Sequence, residues 1–333
     1  MKTAILGAGS FGTALAVVAA QNSDEVFIWS HSKDVVNDIL SDHMNSYYLP
    51  GIKLPEKLRA SQDLEEVLLK ADNVISVIPT QVTREVWLKA KKFTPENARI
   101  LVASKGIECD TNELLSDVLL ETLGDSFRDR IFFLSGPSFA REIAEKRPTA
   151  ITIAGYNIDG VTELQSVFFS DFVRTYGTID VTGVQLGGAL KNVIAIAVGI
   201  SDGMNMGNNS RAAIITRGLA EMARLGKIMG GDPMTFMGLA GLGDLVLTCT
   251  GELSRNRSVG IKIGQGYHID EILNNMRMVA EGVTTTRSAY ELSKSKNVMM
   301  PITEAVYRVI YEKRKPSEII PTLMSRQVKF ENE

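Results

Sequence analysis

Along the first half of the chain, short runs of continuous apolar residues alternate with amphipathic stretches. Thr3–Leu6, Val26–Trp29, Val74–Ile78, Ile100–Ala103 and Ile131–Leu134 predict strands buried on both faces. Between them, Thr13–Ala20, Leu64–Leu69, Glu113–Leu123 and Phe139–Glu145 carry apolar positions at helical spacing. Such alternation predicts a parallel sheet with right-handed crossovers. Ala150–Ala154 and Phe172–Arg174 add two strands, with Val161–Phe169 as the helix between them. From about Val181 the strand pattern stops. Val184–Ser201 and Arg211–Met229 predict long helices, followed by shorter ones at Leu239–Leu247, Val259–Ile263, Ile269–Asn274, Thr284–Ser293, Ile302–Tyr311 and Pro316–Met324. Pro301 and Pro316 stand where a first helical turn accepts proline. The pattern divides near Thr178–Gly183 into a Rossmann-like α/β unit over 1–180 and an all-α unit over 181–333.

Composition adjusts this picture little. At 333 residues and 44% hydrophobic content, the chain fills two ordinary cores. A net charge of −3 with no lysine or arginine stripe excludes a nucleic-acid footprint, and Arg314-Lys315 reads as a solvated turn. Cys109 and Cys249 lie too far apart for metal spacing or a disulfide framework, so no metal is expected and a reducing cytoplasm fits. Met1-Lys2 followed by TAILGAGSFGTALAVVAA imitates a secretory signal, but three glycines interrupt it and its removal would delete a strand and a loop. No run approaches the ~18 uninterrupted apolar residues of a spanning helix. Met204, Met206, Met222 and Met229 suit a homodimer surface or a core equally.

The chemistry begins at Gly7-Ala8-Gly9-Ser10-Phe11-Gly12, between the first strand and the first helix. Gly7 makes the turn, Gly9 admits a pyrophosphate and Gly12 lets helix and strand close up. The helix N-terminus offers amides and a positive dipole end to phosphates. After the second strand stand His31 and Lys33, with Asp34 arriving late. An NAD site usually carries an acid there, so the tip fits the 2′-phosphate of NADP; a plain solvated helix start fits equally. Lys105 ends the strand Ile100–Ala103, and Ser135-Gly136-Pro137-Ser138 follows Ile131–Leu134. Ligands in such sheets lie beyond these strand ends. Lys105 reads either as a site residue or as a surface charge, and Ser138 as a ligand hydroxyl or an ordinary helix start.

In the helical half, Lys191 interrupts the small apolar run Gly187–Ala197. An ammonium buried there needs a partner or a task, such as protonating a ketone that receives a hydride. Asp244, an acid within LGDLV, is its candidate partner; a structural ion pair is the competing reading. The run Gly238–Gly260 turns from small and apolar to cationic at Ser254-Arg255-Asn256-Arg257. Gly238, Gly241 and Gly243 admit close approach by a ligand or by other backbone. Arg255 beside Asn256 offers donors that a phosphate accepts, whereas Arg257 reads as a charge on the solvated side of the same turn.

Together these residues resemble bacterial NAD(P)-dependent glycerol-3-phosphate dehydrogenases. The resemblance runs nearly end to end: GAGSFGTALA, LPG, SKGIE, SGPSFA, GGALKNVIAIAVGISDGMNMGNNSRAAIITRGLAEM, TFMGLAGLGDLVLTCTGELSRNRSVG and VAEGVTTTRSAYEL. It implies a Rossmann domain followed by a helical domain of the 6-phosphogluconate dehydrogenase C-terminal type. It implies cytoplasmic reduction of dihydroxyacetone phosphate to sn-glycerol 3-phosphate for phospholipid synthesis, with NADH or NADPH. Lys191 would be the acid/base residue. Lys105, Gly136, Ser138, Asp244, Ser254, Arg255 and Asn256 would line the substrate site. Ser10, Phe11, His31, Lys105, Ala140, Arg255, Val279 and Glu281 would touch the cofactor. Two rivals remain at this level. β-Hydroxyacid and ketopantoate dehydrogenases share the Rossmann half but lack the SRNR anion fork. A nicotinamide-binding sensor without turnover would not need Lys105, Lys191 and Asp244 together.

Overall fold

The computed structural model describes residues 1–276 and 278–325. Among these, eight strands form one sheet: β1 Lys2–Leu6, β2 Glu25–Trp29, β3 Leu58–Ser61, β4 Asn73–Ser76, β5 Arg99–Val102, β6 Ile131–Ser135, β7 Thr149–Gly155 and β8 Val173–Thr178. Their spatial order is β3-β2-β1-β4-β5-β6-β7-β8. Helices α1 Ser10–Asn22, α2 Lys33–Asp42, α3 Leu64–Leu68, α4 Thr83–Ala90, α5 Leu115–Leu123, α6 Ala140–Ala144 and α7 Ile158–Val167 connect the strands. The helical half follows as α8 Val181–Gly203, α9 Gly207–Ile228, α10 Pro233–Met237, α11 Asp244–Thr250, α12 Arg255–Gly264, α13 Ile269–Asn274, α14 Glu281–Ser295, α15 Pro301–Ile310 and α16 Pro316–Met324.

Strand alternation builds a core on each face of the sheet. Ile5, Ile75, Leu101, Phe132 and Leu134 face a core completed by α1, α2 and α7. Ala4, Leu6, Val74, Ile100 and Phe133 point the other way, into a core shared with α3, α4 and α5. The first six strands are parallel neighbours, as expected. β7 is not: it runs antiparallel to β6, with Phe133 opposite Ala154. The connection, residues 136–148, holds only the five-residue α6, about 7.5 Å of helix against the roughly 16 Å of β6, in place of a full crossover helix. β3 escaped the sequence reading because it is a four-residue edge strand with Arg59 facing outward. α4 and α10 were also not anticipated as helices, whereas α2 begins at Lys33, where a solvated helix start was one of the two readings.

α8 is the hub of the helical half. Leu190, Ile194 and Val198 pack toward Met222 and Leu225 of α9, while Val193, Ile196 and Ile200 pack toward Val259 and Ile263 of α12. Its length and apolarity would suit a membrane span, yet 89% of its apolar window is buried inside the molecule. Of the four methionines singled out above, Met222 is fully buried and Met204 and Met229 pack partly into cores. Met206 is exposed. The helix expected at Leu239–Leu247 is split. Leu239–Gly243 forms a wide π turn, and α11 starts afresh at Asp244.

Candidate active site

The loop between β1 and α1 has the shape its glycines imply. Gly7 takes φ +116°, and a Cβ at Gly12 would lie 1.9 Å from the Gly7 carbonyl oxygen. A Cβ at Gly9 would meet nothing within 4 Å, so the chain leaves open space there. Gly9 caps α1 without a side-chain hydrogen bond, and the first-turn amides face that space uncapped. This is a cradle that a pyrophosphate fits. Ser10 lies at its rim with Oγ donating to the Tyr48 carbonyl at 2.6 Å and contacting Met278 Sδ at 3.3 Å. Phe11 places its ring 5.7 Å from Lys105 Nζ. Ala140 opens α6. His31 stands exposed at the tip of β2, where Ser32 caps α2.

The segment before α14 closes the other side of the cradle. Val279 accepts a 2.7 Å hydrogen bond from Arg255 Nη1. Glu281 Oε1 accepts the Thr80 amide at 3.0 Å, while Glu281 Oε2 and Thr80 Oγ1 are buried without a hydrogen-bond partner among the described residues. Burial raises the Glu281 carboxyl above its ordinary range. Orphaned polar atoms of this kind suit a polar ligand group.

Beyond the strand ends, three charged side chains from distant parts of the chain meet. Lys191 Nζ donates to Asp244 Oδ1 and, at 2.9 Å, to Thr248 Oγ1. Lys105 Nζ donates to Asp244 Oδ2 at 2.7 Å, the Gly136 carbonyl at 3.2 Å and Ser138 Oγ at 3.4 Å. Lys191 and Asp244 are 7% and 1% exposed, so this is a buried triad with one excess positive charge. Burial pulls the Lys191 ammonium down to about 8, helped by the nearby Lys105 charge and opposed by Asp244. Burial alone would raise the Asp244 carboxyl; the two ammoniums outweigh it and hold the group below the usual carboxylate range. An ammonium carries three donors. Lys191 commits two to the protein, so one N–H remains for a ligand. Lys105 commits all three, the weakest to Ser138.

The phosphate candidates open α12. Ser254 caps the helix with Oγ accepting from the Arg257 amide at 3.3 Å. Asn256 donates to Asn192 Oδ1 at 2.8 Å and accepts from the Gly282 amide at 3.0 Å, so it ties α12 to the residue beside Lys191 and to α14. Arg255 is exposed. One sequence expectation changes here. Arg257 is not a solvated charge: its side chain is 16% exposed and grips Asp202 at 2.7 Å. Of the glycines expected to admit a ligand or other backbone, Gly241 meets backbone, for a Cβ there would lie 2.1 Å from the Phe236 carbonyl oxygen. Gly238 and Gly243 make no such close approach. Thr248 was missed, although its i+4 spacing from Asp244 puts both on one helix face. Ser135, whose Oγ contacts Asp244 Oδ2 at 3.5 Å, was not picked out, although it opens the Ser135–Ser138 motif at the strand end.

Comparison with known proteins agrees with this geometry. Residues 2–160 match the model for the N-terminus of NAD-dependent glycerol-3-phosphate dehydrogenase, and residues 180–321 match the model for its C-terminus. The chain is 51% identical to glycerol-3-phosphate dehydrogenase [NAD(P)+] of Citrifermentans bemidjiense over 330 residues, covering 99% of this chain and 98% of that one. The crystal structure of glycerol-3-phosphate dehydrogenase from Coxiella burnetii superimposes with a TM-score of 0.93 at 38% identity, covering 98% of this chain and 99% of that one. The Plasmodium falciparum glycerol-3-phosphate dehydrogenase gives 0.89 at 26% identity, covering 99% and 97%. A dinucleotide cradle, a buried lysine–aspartate–lysine triad and two full-length domain matches lead to one assignment: the chain belongs to the NAD-dependent glycerol-3-phosphate dehydrogenase family.

Proposed function

We propose that this chain reduces dihydroxyacetone phosphate reversibly to sn-glycerol 3-phosphate, using NADH or NADPH. The observation that carries the reading is Lys191, buried between the dinucleotide cradle and the start of α12 with one donor uncommitted. When bound, the nicotinamide supplies the hydride. The substrate ketone sits against the free N–H of Lys191, which polarises the carbonyl and gives its proton to the alkoxide oxygen as it forms. Asp244 and Thr248 hold the Lys191 Nζ in place. Lys105 releases its 3.4 Å contact with Ser138 to take part in substrate binding, while its bond to Asp244 persists.

Ser254, Arg255 and Asn256 bind the phosphate at the first turn of α12, where backbone amides add to the guanidinium. Holding that remote phosphate orients the reacting carbon. Gly9, Gly7 and Gly12 shape the pyrophosphate site; Ser10, Phe11, Ala140, Val279 and Glu281 line the rest of the cofactor. The exposed His31 and Lys33 at the β2 tip support a preference for the 2′-phosphate of NADPH. The same reading divides the chain at 180/181 and places the enzyme in the cytoplasm, supplying phospholipid synthesis; the free thiols Cys109 and Cys249 fit that compartment. It also includes a homodimer through the helical half, where Met234 and Met237 are 70% and 51% exposed.

A steady-state assay of dihydroxyacetone phosphate with NADPH and NADH side by side tests the reading. Turnover with NADPH at the higher kcat/KM is expected, and Lys191→Ala should lower kcat by at least about a hundredfold while nicotinamide-nucleotide binding persists. Absence of turnover with both nucleotides refutes the function. Near-normal kcat in Lys191→Ala refutes the role of the lysine.

A further inference from the structure

Asp202, in the last turn of α8, is held by two guanidinium forks. Arg257 of α12 donates Nε at 2.9 Å and Nη2 at 2.7 Å to Oδ2. Arg211 of α9 donates Nε at 2.9 Å and Nη2 at 2.8 Å to Oδ1. The Asp202 side chain is 9% exposed. Each guanidinium converges two N–H groups on one oxygen, so both carboxylate oxygens are held by charge-assisted hydrogen bonds. Neither Asp202, Arg211 nor Arg257 has a place in the chemistry derived above.

Their location gives them one. α12 lies backbone on backbone against α8. A Cβ at Gly199 would fall 2.1 Å from the Arg257 carbonyl oxygen, and one at Gly260 would fall 2.2 Å from that of Ile196. A seam of glycines brings two helices close, and the side chains that pack beside it, Val193, Ile196 and Ile200 against Val259 and Ile263, make only non-directional apolar contacts. Two polar side-chain locks add direction. Asn256 bonds Asn192, next to Lys191, and Arg257 bonds Asp202 about 15 Å further along α8. Arg257 directly follows Arg255 and Asn256 in the first turn of α12. Its grip on Asp202 therefore fixes how that turn is rotated relative to the helix carrying Lys191.

We propose that Asp202 is a positioning residue for the substrate phosphate: by gripping Arg257 it aims Arg255 and Asn256 at the phosphate while the ketone sits on Lys191. The inference rests on the phosphate assignment made above. Arg211 occupies the second carboxylate oxygen and ties α9 into the same lock.

Asp202→Asn keeps the shape and removes the charge. Its KM for dihydroxyacetone phosphate should rise about tenfold or more, with kcat within about twofold of the parent. Competitive inhibition by inorganic phosphate should weaken by the same factor. Turnover of unphosphorylated dihydroxyacetone, which has no phosphate for the first turn of α12 to hold, should stay at the parent level. In an Arg255→Ala background the added effect of Asp202→Asn on KM should nearly vanish, because both act on one contact. Arg257→Lys retains charge without the fork; it should show the same selective rise in KM to a smaller degree, and it serves if Asp202→Asn does not fold. Equal losses on the phosphorylated and unphosphorylated ketone, or additive effects with Arg255→Ala, overturn the positioning role. If Arg255→Ala alone raises KM and the Asp202 and Arg257 variants do not, only the positioning role falls. If Arg255→Ala leaves KM and phosphate inhibition unchanged, the phosphate assignment falls and takes the inference with it.

Discussion

Lys191 is poised by opposing forces that a measurement can separate. Burial favours the neutral amine, Asp244 favours the ammonium, and the outcome is a group titrating at about 8. Reduction consumes the ammonium form. The kcat/KM for dihydroxyacetone phosphate should therefore be level below about pH 8 and fall toward tenfold per unit above it. Oxidation of glycerol 3-phosphate needs the free amine, so its kcat/KM should rise toward tenfold per unit below about pH 8 and level off above it. The substrate phosphate, with a second pKa near 6, is already a dianion there and does not confuse the profile. A pH series run in both directions checks this; parallel profiles would contradict the assignment. Asp244 touches both lysines, so the apparent value belongs to the triad rather than to one residue. The sequence exposed the oddity of Lys191, an ammonium among glycines, alanines and isoleucines. It could pair Lys191 with Asp244 but not show that Lys105 shares the same carboxylate, since those two lie 139 positions apart.

At the scale of elements, the packing of α8 on α12 matters most. Gly199 and Gly203 on one helix face Gly260 and Gly264 on the other; a Cβ at Gly203 would lie 2.2 Å from the Ile261 carbonyl oxygen and one at Gly264 2.4 Å from that of Ile200. The opposing atoms are backbone, so no side-chain rotation relieves the clash. Gly260→Ala should cost about 3 kcal/mol, at the upper end of ordinary overpacking, despite alanine's better helix propensity. A denaturant melt followed by far-UV circular dichroism reads this directly. A stability change within 0.5 kcal/mol, roughly the level of a neutral surface substitution, would contradict the seam. Both glycine pairs were visible in the sequence at spacing four, but nothing there said that they face one another. The extent of β7 was likewise legible and its direction was not, because direction depends on where the chain of residues 136–148 packs against the rest of the molecule.

For the whole molecule, the two halves are joined by buried and part-buried bonds rather than by a flexible linker. Glu281 of α14 accepts the Thr80 amide, Gln185 of α8 accepts the Ser116 amide at 3.0 Å, and Ser288 donates to the Glu108 carbonyl at 3.2 Å. Val181, Val184 and Ala240 belong to one of the sheet's own cores. The triad itself straddles the join. The chain should therefore unfold in a single cooperative transition, with calorimetric and van't Hoff enthalpies in agreement. Two resolved transitions would show that the halves are energetically separate. The sequence by itself determined the order and kind of most elements, the dinucleotide loop, and the candidate lysines and anion fork. These are written in local spacing: period two for strands, 3.6 for helices, and glycine wherever backbone must turn or approach closely. Only the tertiary structure decided that β7 reverses, that Arg257 turns inward to Asp202, and that Lys105 and Lys191 share one carboxylate. Those facts depend on which distant backbones touch, and a buried charge shows its partner only once the surrounding core is closed.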